Sequence, residues 1–197
     1  MNIHLQSVMG TGIQPQQFID GMTRNKESLL EWYNRFRWES QEDEHFFRSL
    51  RARGTWRCLI LCTEWCPDVI WNLPVLLHVL KHGEIPVEIL VMEQHLDTMD
   101  LFLTNGGRAQ PIALFVDAAS GAVVGQWGPR PQYIQAVMQQ FRRDNPDREE
   151  PGYQDMVAAA RKEIAALYHA GTEYQAVIVQ ELRQLLTTII QTEERPI

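Results

Sequence analysis

Cysteine is scarce in this 197-residue chain, which contains only Cys58, Cys62 and Cys66. So small and odd a number excludes the framework of disulfide bonds that small secreted proteins use to supplement a small core. The two intervals of three residues between these cysteines suit no common zinc site, and no histidine stands near them. We therefore expect no metal site and no cofactor.

Long apolar runs and an excess of positive charge are also lacking. No apolar run approaches the roughly 20 residues of a membrane span, and residues 1–12 lack the basic start and apolar centre of a secretory signal. The 18 Lys and Arg against 25 Asp and Glu give a net charge of −7, whereas nucleic acids and anionic membranes attract concentrated positive charge. We therefore expect a cytoplasmic protein that binds neither nucleic acid nor membrane.

Apolar residues are plentiful, at 45% of the chain, which is enough for a sizeable core. The length fits one domain of about 150 residues with an extension. Residues 144–152 are charged and contain Pro and Gly, a composition typical of a linker. We predict three parts: a helical segment at 1–52 packed on the core, a domain at 53–143 and a C-terminal helical extension at 153–192.

The central part predicts alternating strands and helices. Residues 58–62 form a short, continuous apolar run, which is typical of a strand buried on both faces. A helix that opens at Pro67 and contains Pro74 leads to a second such strand at 87–92, and its length suits a βαβ crossover. The remaining predicted elements are a helix at 96–103, strands at 112–116 and 122–127, and a helix at 132–141. The order β-α-β-α-β-β-α predicts an α/β fold.

Helices are also predicted on both sides of this central part. Apolar spacing favours a helix or broken helix at 16–37 and a shorter one at 42–50. Beyond the linker, two helices are predicted at 153–170 and 172–192. The second carries an apolar stripe made of Ile178, Leu182, Leu185 and Ile189. The stripe must be buried against the domain or against another chain, so a homodimer through the C-terminal helices stays open.

Cys66 is the candidate for chemistry, because it is predicted to stand between the end of a buried strand and the start of a helix. Unpaired backbone N–H groups and the helix dipole at that place favour the thiolate, which is the reactive form of cysteine. Asp68 in the first turn opposes the thiolate through its charge. We expect a net lowering of the Cys66 pKa. The alternative is an inert buried cysteine.

In these features the chain resembles the thioredoxin superfamily. The residues that carry the resemblance are Glu64-Trp65-Cys66, a proline eight residues after that cysteine (Pro74), and Gln110-Pro111 before the strand at 112–116. The resemblance covers approximately residues 53–141. It implies a mixed-sheet sandwich of α/β class, a nucleophilic role for Cys66 and a cis peptide bond at Pro111.

A bacterial subgroup of thioredoxin-like proteins shows further similarity. The Trp-Cys-x-Asp site, Gly106-Gly107-Arg108 before the proline, and the Trp127-Gly128-Pro129-Arg130-Pro131 run resemble that subgroup. Its members have an N-terminal helical segment and a C-terminal helical extension.

The chain departs from the superfamily at three positions. Val69 stands where thioredoxins have the second, resolving cysteine, Ile60 stands where they have a buried acid, and Ile89 replaces the nearby lysine. Without a resolving thiol, release of a mixed disulfide at Cys66 requires glutathione or another small thiol, Cys62, or a second chain.

The superfamily binds substrates in a groove beside the cis-proline. By resemblance the groove residues are Trp65, Pro67, Asp68, Gln110 and Pro111. Arg108 and Arg130 lie in the two bordering loops, where either could stabilise a Cys66 thiolate or bind an anionic group. The alternative for both arginines is solvated loop positions.

Two functions follow from these residues. The first is a monothiol oxidoreductase in which Cys66 attacks a protein disulfide or reacts with a low-molecular-weight thiol, with an external thiol or Cys62 as resolver. The second is a redox-inactive thioredoxin-fold binding module that uses the Pro111 groove. Retention of Cys66 favours the first, which is the function we expect, and loss of the acid favours the second, which is the alternative.

Overall fold

A computed structural model describes residues 3–194 of the chain. Its sheet has the strand order β2-β1-β3-β4. The central strand β1 (Trp56–Cys62) runs parallel to β2 (Val87–Val91) and antiparallel to β3 (Ile112–Asp117), which pairs antiparallel with β4 (Val123–Trp127). The predicted α/β fold with a mixed sheet is confirmed.

Helices surround this sheet and extend the chain at both ends. They are α1 (Pro15–Gly21), α2 (Lys26–Arg35), α3 (Gln41–Ser49), α4 (Pro67–His82), α5 (Leu96–Met99), α6 (Gln132–Asp144), α7 (Tyr153–His169) and α8 (Glu173–Glu193). Short 3₁₀ turns occupy Leu50–Ala52, Met92–Gln94 and Asp100–Phe102. The predicted N-terminal helix is the broken one, since Asn25 takes a left-handed conformation between α1 and α2.

The apolar run of β1 is buried on both faces of the sheet. Successive side chains of a strand point to opposite faces. Cys58 and Ile60 accordingly join the larger core cluster, to which α4 and the C-terminal helices contribute. Leu59 and Leu61 join a smaller cluster with residues of the N-terminal segment and the α5 region.

The N-terminal segment covers both edges of the sheet. Leu5 donates its backbone N–H to Gly121 O beside β4 at 2.7 Å, and Ile13 exchanges two backbone hydrogen bonds with Ile89 in β2. Glu88 holds the segment between these points by accepting the backbone N–H of Gly10 at 2.7 Å. Covered edges leave no ready template for pairing with another chain.

The C-terminal helices pack on the same molecule. In α8, Ile178, Leu182 and Ile189 are buried in the larger core cluster, and Leu185 packs against it. The stripe on which the dimer hypothesis rested is therefore used within the chain. Among residues 3–194, no helix combines the length and apolarity needed to cross a membrane.

Candidate functional site

Cys66 stands at the junction between β1 and α4. It is the N-cap residue of α4, with an extended backbone, and its carbonyl accepts the N–H of Val69 at 3.1 Å. Pro67 follows at the first helical position, where its fixed φ suits the helix and its missing N–H leaves no unpaired donor. The thiol is thus held at a helix N-terminus, half-buried against the larger core cluster.

The Pro111 loop lies directly against this thiol. The Gln110–Pro111 peptide bond is cis, and the Cys66 thiol donates to the Gln110 carbonyl oxygen at 3.7 Å. The Gln110 side chain is not open to a groove, because the residue is 1% exposed and its amide donates to Met92 Sδ. Only the backbone of Gln110 therefore faces Cys66.

A second cis-proline, at Pro129, lies in the loop after β4. A Cβ on the preceding Gly128 would overlap the carbonyl oxygen of Pro111, so only glycine lets the two loops approach this closely. The Gly128-Pro129 pair was visible in the sequence, but its contact with the Pro111 loop was not anticipated.

Asp68 and Arg130 form a buried ion pair beside Cys66. The guanidinium donates from Nε and Nη2 to the two carboxylate oxygens at 2.7 and 2.6 Å, and from Nη1 to Gln135 at 2.8 Å. Arg130 was expected to meet a thiolate or an anionic ligand, and Asp68 was expected to line the groove. Arg130 and Asp68 are therefore first of all each other's partners, and three of the five guanidinium N–H groups are used in these contacts.

The expected lowering of the Cys66 pKa is wrong. Burial, followed by the charge of Asp68, raises the pKa of the Cys66 thiol to about 11. The N–H groups of Val69 and Asp68 and the charge of Arg130 act in the opposite direction without offsetting these effects. The helix N-terminus is present as predicted, but the loss of solvent at the sulfur outweighs it.

Cys62 has poor properties for a resolving thiol. It is fully buried, and burial raises its pKa far above the ordinary range, with smaller contributions from Cys66 and Glu93. All three cysteines are free thiols. The positions of the missing thiol, acid and lysine (Val69, Ile60 and Ile89) are fully buried in the apolar core.

Trp65 presents a fixed aromatic surface next to Cys66. Its side chain is 51% exposed, yet the indole Nε1–H donates to Glu93 at 2.7 Å, and the Thr63 hydroxyl donates to the same oxygen at 2.8 Å. Glu93 was missed by the sequence analysis. The adjacent carboxyl ends of parallel β1 and β2 were the available signal, because loops after such ends meet.

The N-terminal segment supports the loop that carries Trp65 and Cys66. Glu64 accepts the backbone N–H and the hydroxyl of Thr23 at 2.6 and 2.7 Å, and its own carbonyl accepts from Asn25 at 3.0 Å. These bonds hold the loop at Glu64, near the end of β1, against the turn between α1 and α2.

Arg108 does not belong to the cluster formed by Cys66, Asp68 and Arg130. It is exposed, and its guanidinium makes a two-point ion pair with Asp100 at 2.6 and 2.8 Å. Its expected contact with the Cys66 sulfur is therefore not observed, because its guanidinium is paired with Asp100.

The C-terminal extension reaches the first turns of α4. Asn72 donates to Pro129 O at 3.0 Å and to Tyr168 Oη at 2.8 Å, and Trp71 stacks on the Tyr168 ring with centroids 4.3 Å apart. No sequence signal distinguished these residues from ordinary core positions. Helix α7 thus supports the helix that begins at Cys66.

A cysteine at the N-cap of α4, facing a cis-proline loop beside a mixed sheet, defines a thioredoxin-fold protein. Residues 12–142 match the model of a family described as thioredoxin. This match covers more than half of the chain, so the protein belongs to that thioredoxin family.

Two solved structures show the same fold at low identity. An HIV epitope-scaffold is 16% identical with a TM-score of 0.64, over 94% of this chain and 99% of that chain. A protein of unknown function from Pseudomonas aeruginosa is 17% identical with a TM-score of 0.61, over 90% of this chain and 93% of that chain. No curated protein matches the sequence.

Proposed function

We propose that the protein is a thioredoxin-fold binding module that holds an extended peptide beside Pro111, with Trp65 as the aromatic contact and Cys66 as a neutral thiol. The observation that carries the proposal is the half-exposed indole of Trp65, which donates to Glu93 and directly precedes Cys66, whose thiol contacts the Gln110 carbonyl of the cis-proline loop. Exposed aromatic side chains with little remaining freedom are favourable contacts in binding sites.

The surroundings of Cys66 support a binding role over disulfide exchange. A thiol with a pKa of about 11 is almost entirely protonated at neutral pH. The Asp68 carboxylate, whose charge acts on Cys66, is held by Arg130 rather than by the thiol. Loss of the second thiol, the acid and the lysine removes the groups that a thioredoxin uses to complete its reaction.

A monothiol oxidoreductase is the second candidate, and one observation favours it. The backbone N–H groups of Asp68 and Val69 at the start of α4 act to lower the pKa of Cys66, which favours its thiolate. In that reaction the Cys66 thiolate attacks one sulfur of a disulfide, and the other sulfur leaves as a thiolate. An external thiolate then attacks the substrate sulfur of the mixed disulfide. Cys66 leaves as a thiolate, and a new disulfide joins the external thiol to the substrate sulfur.

The pH dependence of Cys66 alkylation separates the two candidates. Iodoacetamide labelling of the full chain, followed by mass spectrometry of the Cys66 peptide, should give a midpoint near pH 11. Disulfide reductase assays with dithiothreitol should show no difference between wild type and Cys66→Ser. A midpoint below about 8.5, together with turnover that Cys66→Ser abolishes, would establish the oxidoreductase instead.

Restoring the second cysteine provides a further test. Val69→Cys places a thiol two residues beyond Pro67, at the position of the resolving cysteine. We expect this variant to remain inactive as a disulfide reductase, because Ile60 and Ile89 still replace the proton-transfer groups. Reductase activity in Val69→Cys would mean that only the resolver was missing.

Peptide selection tests the binding role directly. Displayed peptides selected on the wild-type protein should lose at least about tenfold in affinity for Trp65→Ala, as expected for an aromatic hot spot. They should keep their affinity for Cys66→Ser and for Leu101→Ala, an exposed apolar control elsewhere. Failure to select any peptide, or binding that needs Cys66 and is reversed by dithiothreitol, contradicts the proposal.

The Trp-Cys-x-Asp site and the Trp-Gly-Pro-Arg-Pro run support membership of the bacterial subgroup. We also propose a cytoplasmic location and the division into parts at 1–52, 53–143 and 153–192.

A further inference from the structure

Three arginines surround a cavity at the C-terminal end of α6, away from the groups that hold Cys66. The cavity has a volume of about 360 Å³, and Arg142, Arg143 and Arg148 line it together with Asn105 and Tyr153. Among residues 3–194, no Asp or Glu side chain lines it. Such a concentration of positive charge is notable in a chain whose net charge is −7.

The arginines lack acidic partners although acidic residues are interleaved with them in the sequence. Among residues 3–194, none of the three forms an ion pair with a carboxylate. Asp144 accepts from the Gln140 side chain at 2.8 and 2.9 Å, and Asp147 accepts the N–H of Glu149 at 2.9 Å. These acids bond to their own neighbours, so the positive charge in the cavity is not cancelled by direct contact.

The walls of the cavity are held in place. Arg142 donates from Nη1 to the carbonyls of Thr104 and Asn105 at 3.4 and 3.2 Å, which leaves its other N–H groups for a ligand. The ring of Tyr153 packs on Phe141 with centroids 5.5 Å apart.

The helix dipole explains only part of this arrangement. Arg142 and Arg143 lie in the last turn of α6, where cations stabilise the helix end. Arg148 lies beyond the helix, in the connection to α7, and among residues 3–194 its guanidinium forms no ion pair. Its place on the cavity wall needs another explanation.

We propose that this cavity binds a small molecule carrying two or more linked phosphate groups. Guanidinium groups match phosphate oxygens with paired N–H donors. Three of them around one cavity call for a ligand with several negative charges, and the volume falls within the usual range of small-molecule sites. The Asn105 and Tyr153 side chains supply neutral hydrogen-bonding groups beside the guanidinium groups.

Calorimetric titration of the full chain with inorganic pyrophosphate at low ionic strength tests the proposal. Wild type should show saturable one-to-one binding that weakens as salt is added. Arg148→Gln should bind about tenfold more weakly, through the loss of a charge-assisted pair of hydrogen bonds. Arg24→Gln is the matched control, because it removes the same charge from an arginine that does not line this cavity, and it should bind like wild type.

Three results would overturn the proposal: no saturable binding of pyrophosphate, equal weakening in both variants, or tighter binding of citrate than of pyrophosphate. Equal weakening of pyrophosphate binding in both variants would indicate a general charge effect. Tighter binding of citrate would indicate a site that prefers carboxylate ligands to phosphate ligands. None of these readouts involves Cys66 or Trp65, so failure here is distinct from failure of the proposed function.

Discussion

The Asp68 side chain shows how one residue can oppose the effect of the helix end on which it stands. The N-terminus of α4 favours a Cys66 thiolate, whereas the Asp68 charge disfavours it. The Arg130 guanidinium compensates the negative charge of the Asp68 carboxylate through a two-point contact, and both side chains are almost inaccessible to solvent. The Cys66 thiol is therefore neutral, and it lies beside an ion pair whose two charges compensate each other.

The substitution Asp68→Asn should separate the effect of the Asp68 charge on the Cys66 pKa from its effect on the free energy of unfolding. Loss of the charge should lower the pKa of Cys66 and move its alkylation midpoint to lower pH. The same substitution leaves the buried Arg130 without its counter-charge, which should reduce the free energy of unfolding by about 3 kcal/mol. Urea denaturation measures the second effect.

Asp100→Asn is the matched control for that experiment. It breaks the exposed pair with Arg108, whose ends are screened by water. We expect almost no change in unfolding free energy or in the alkylation midpoint. Equal destabilisation by both variants would mean that the Asp68–Arg130 pair contributes no more than a surface contact.

The Cys66 thiol should also make stability depend on pH. Its pKa is raised to about 11 in the folded protein, against roughly 8.5 for an exposed thiol. Between these values the unfolded chain has released the proton that the folded chain still holds, so stability falls as pH rises. The contribution is complete below about pH 8.5 and is lost as pH rises through about 11.

Comparison with Cys66→Ser isolates this contribution. Cys58 and Cys62 titrate in both proteins and cancel in the difference. Wild type should lose unfolding free energy more steeply than Cys66→Ser over this interval, as measured by urea denaturation at a series of pH values. Parallel curves would contradict the raised pKa.

At the scale of elements, the sequence predicted those features that a local pattern encodes. The apolar run of β1, the helix opening at Pro67 and the two-strand unit before α6 each have their own periodicity or turn residues. Pairings between distant residues leave no such pattern. Glu93 with Trp65, and Asn72 with Tyr168, meet only after the chain folds, as do Asp68 and Arg130. The Cys66 pKa was mispredicted for the same reason, since burial is a tertiary property.

Helix α8 offers a prediction at this scale. Leu182 is fully buried in the core of its own chain. Leu182→Ala should therefore reduce the unfolding free energy by about 3 kcal/mol, whereas Leu185→Ala, which is only partly buried, should reduce it less. The thermal midpoints of both variants and of wild type should not change over a roughly hundredfold range of protein concentration. A midpoint that rises with concentration would indicate that the stripe serves a dimer.

At the scale of the whole molecule, the two terminal parts complete the central sheet in different ways. Residues 3–13 cross one face and cover both sheet edges, while α7 and α8 pack into the core on the other face. The sequence predicted that an N-terminal segment would pack on the core. It did not predict edge coverage, because a single bridge between Ile13 and Ile89 has no strand-like pattern around it.

Substitution of Gly12 tests whether the stability of the protein and its tendency to associate depend on this coverage of the β2 edge. A Cβ at Gly12 would lie 2.9 Å from Ile89 O and 3.0 Å from Glu88 Cβ, and the backbone oxygen cannot rotate away. Gly12→Ala should lift the N-terminal segment from β2, lower the unfolding free energy by about 1–3 kcal/mol, and leave a strand edge open for association. Gly21→Ala is the matched control, since a Cβ there meets nothing within 4 Å. Urea denaturation and light scattering measure the two effects, and equal behaviour of the two variants would show that the sheet edge does not need the segment.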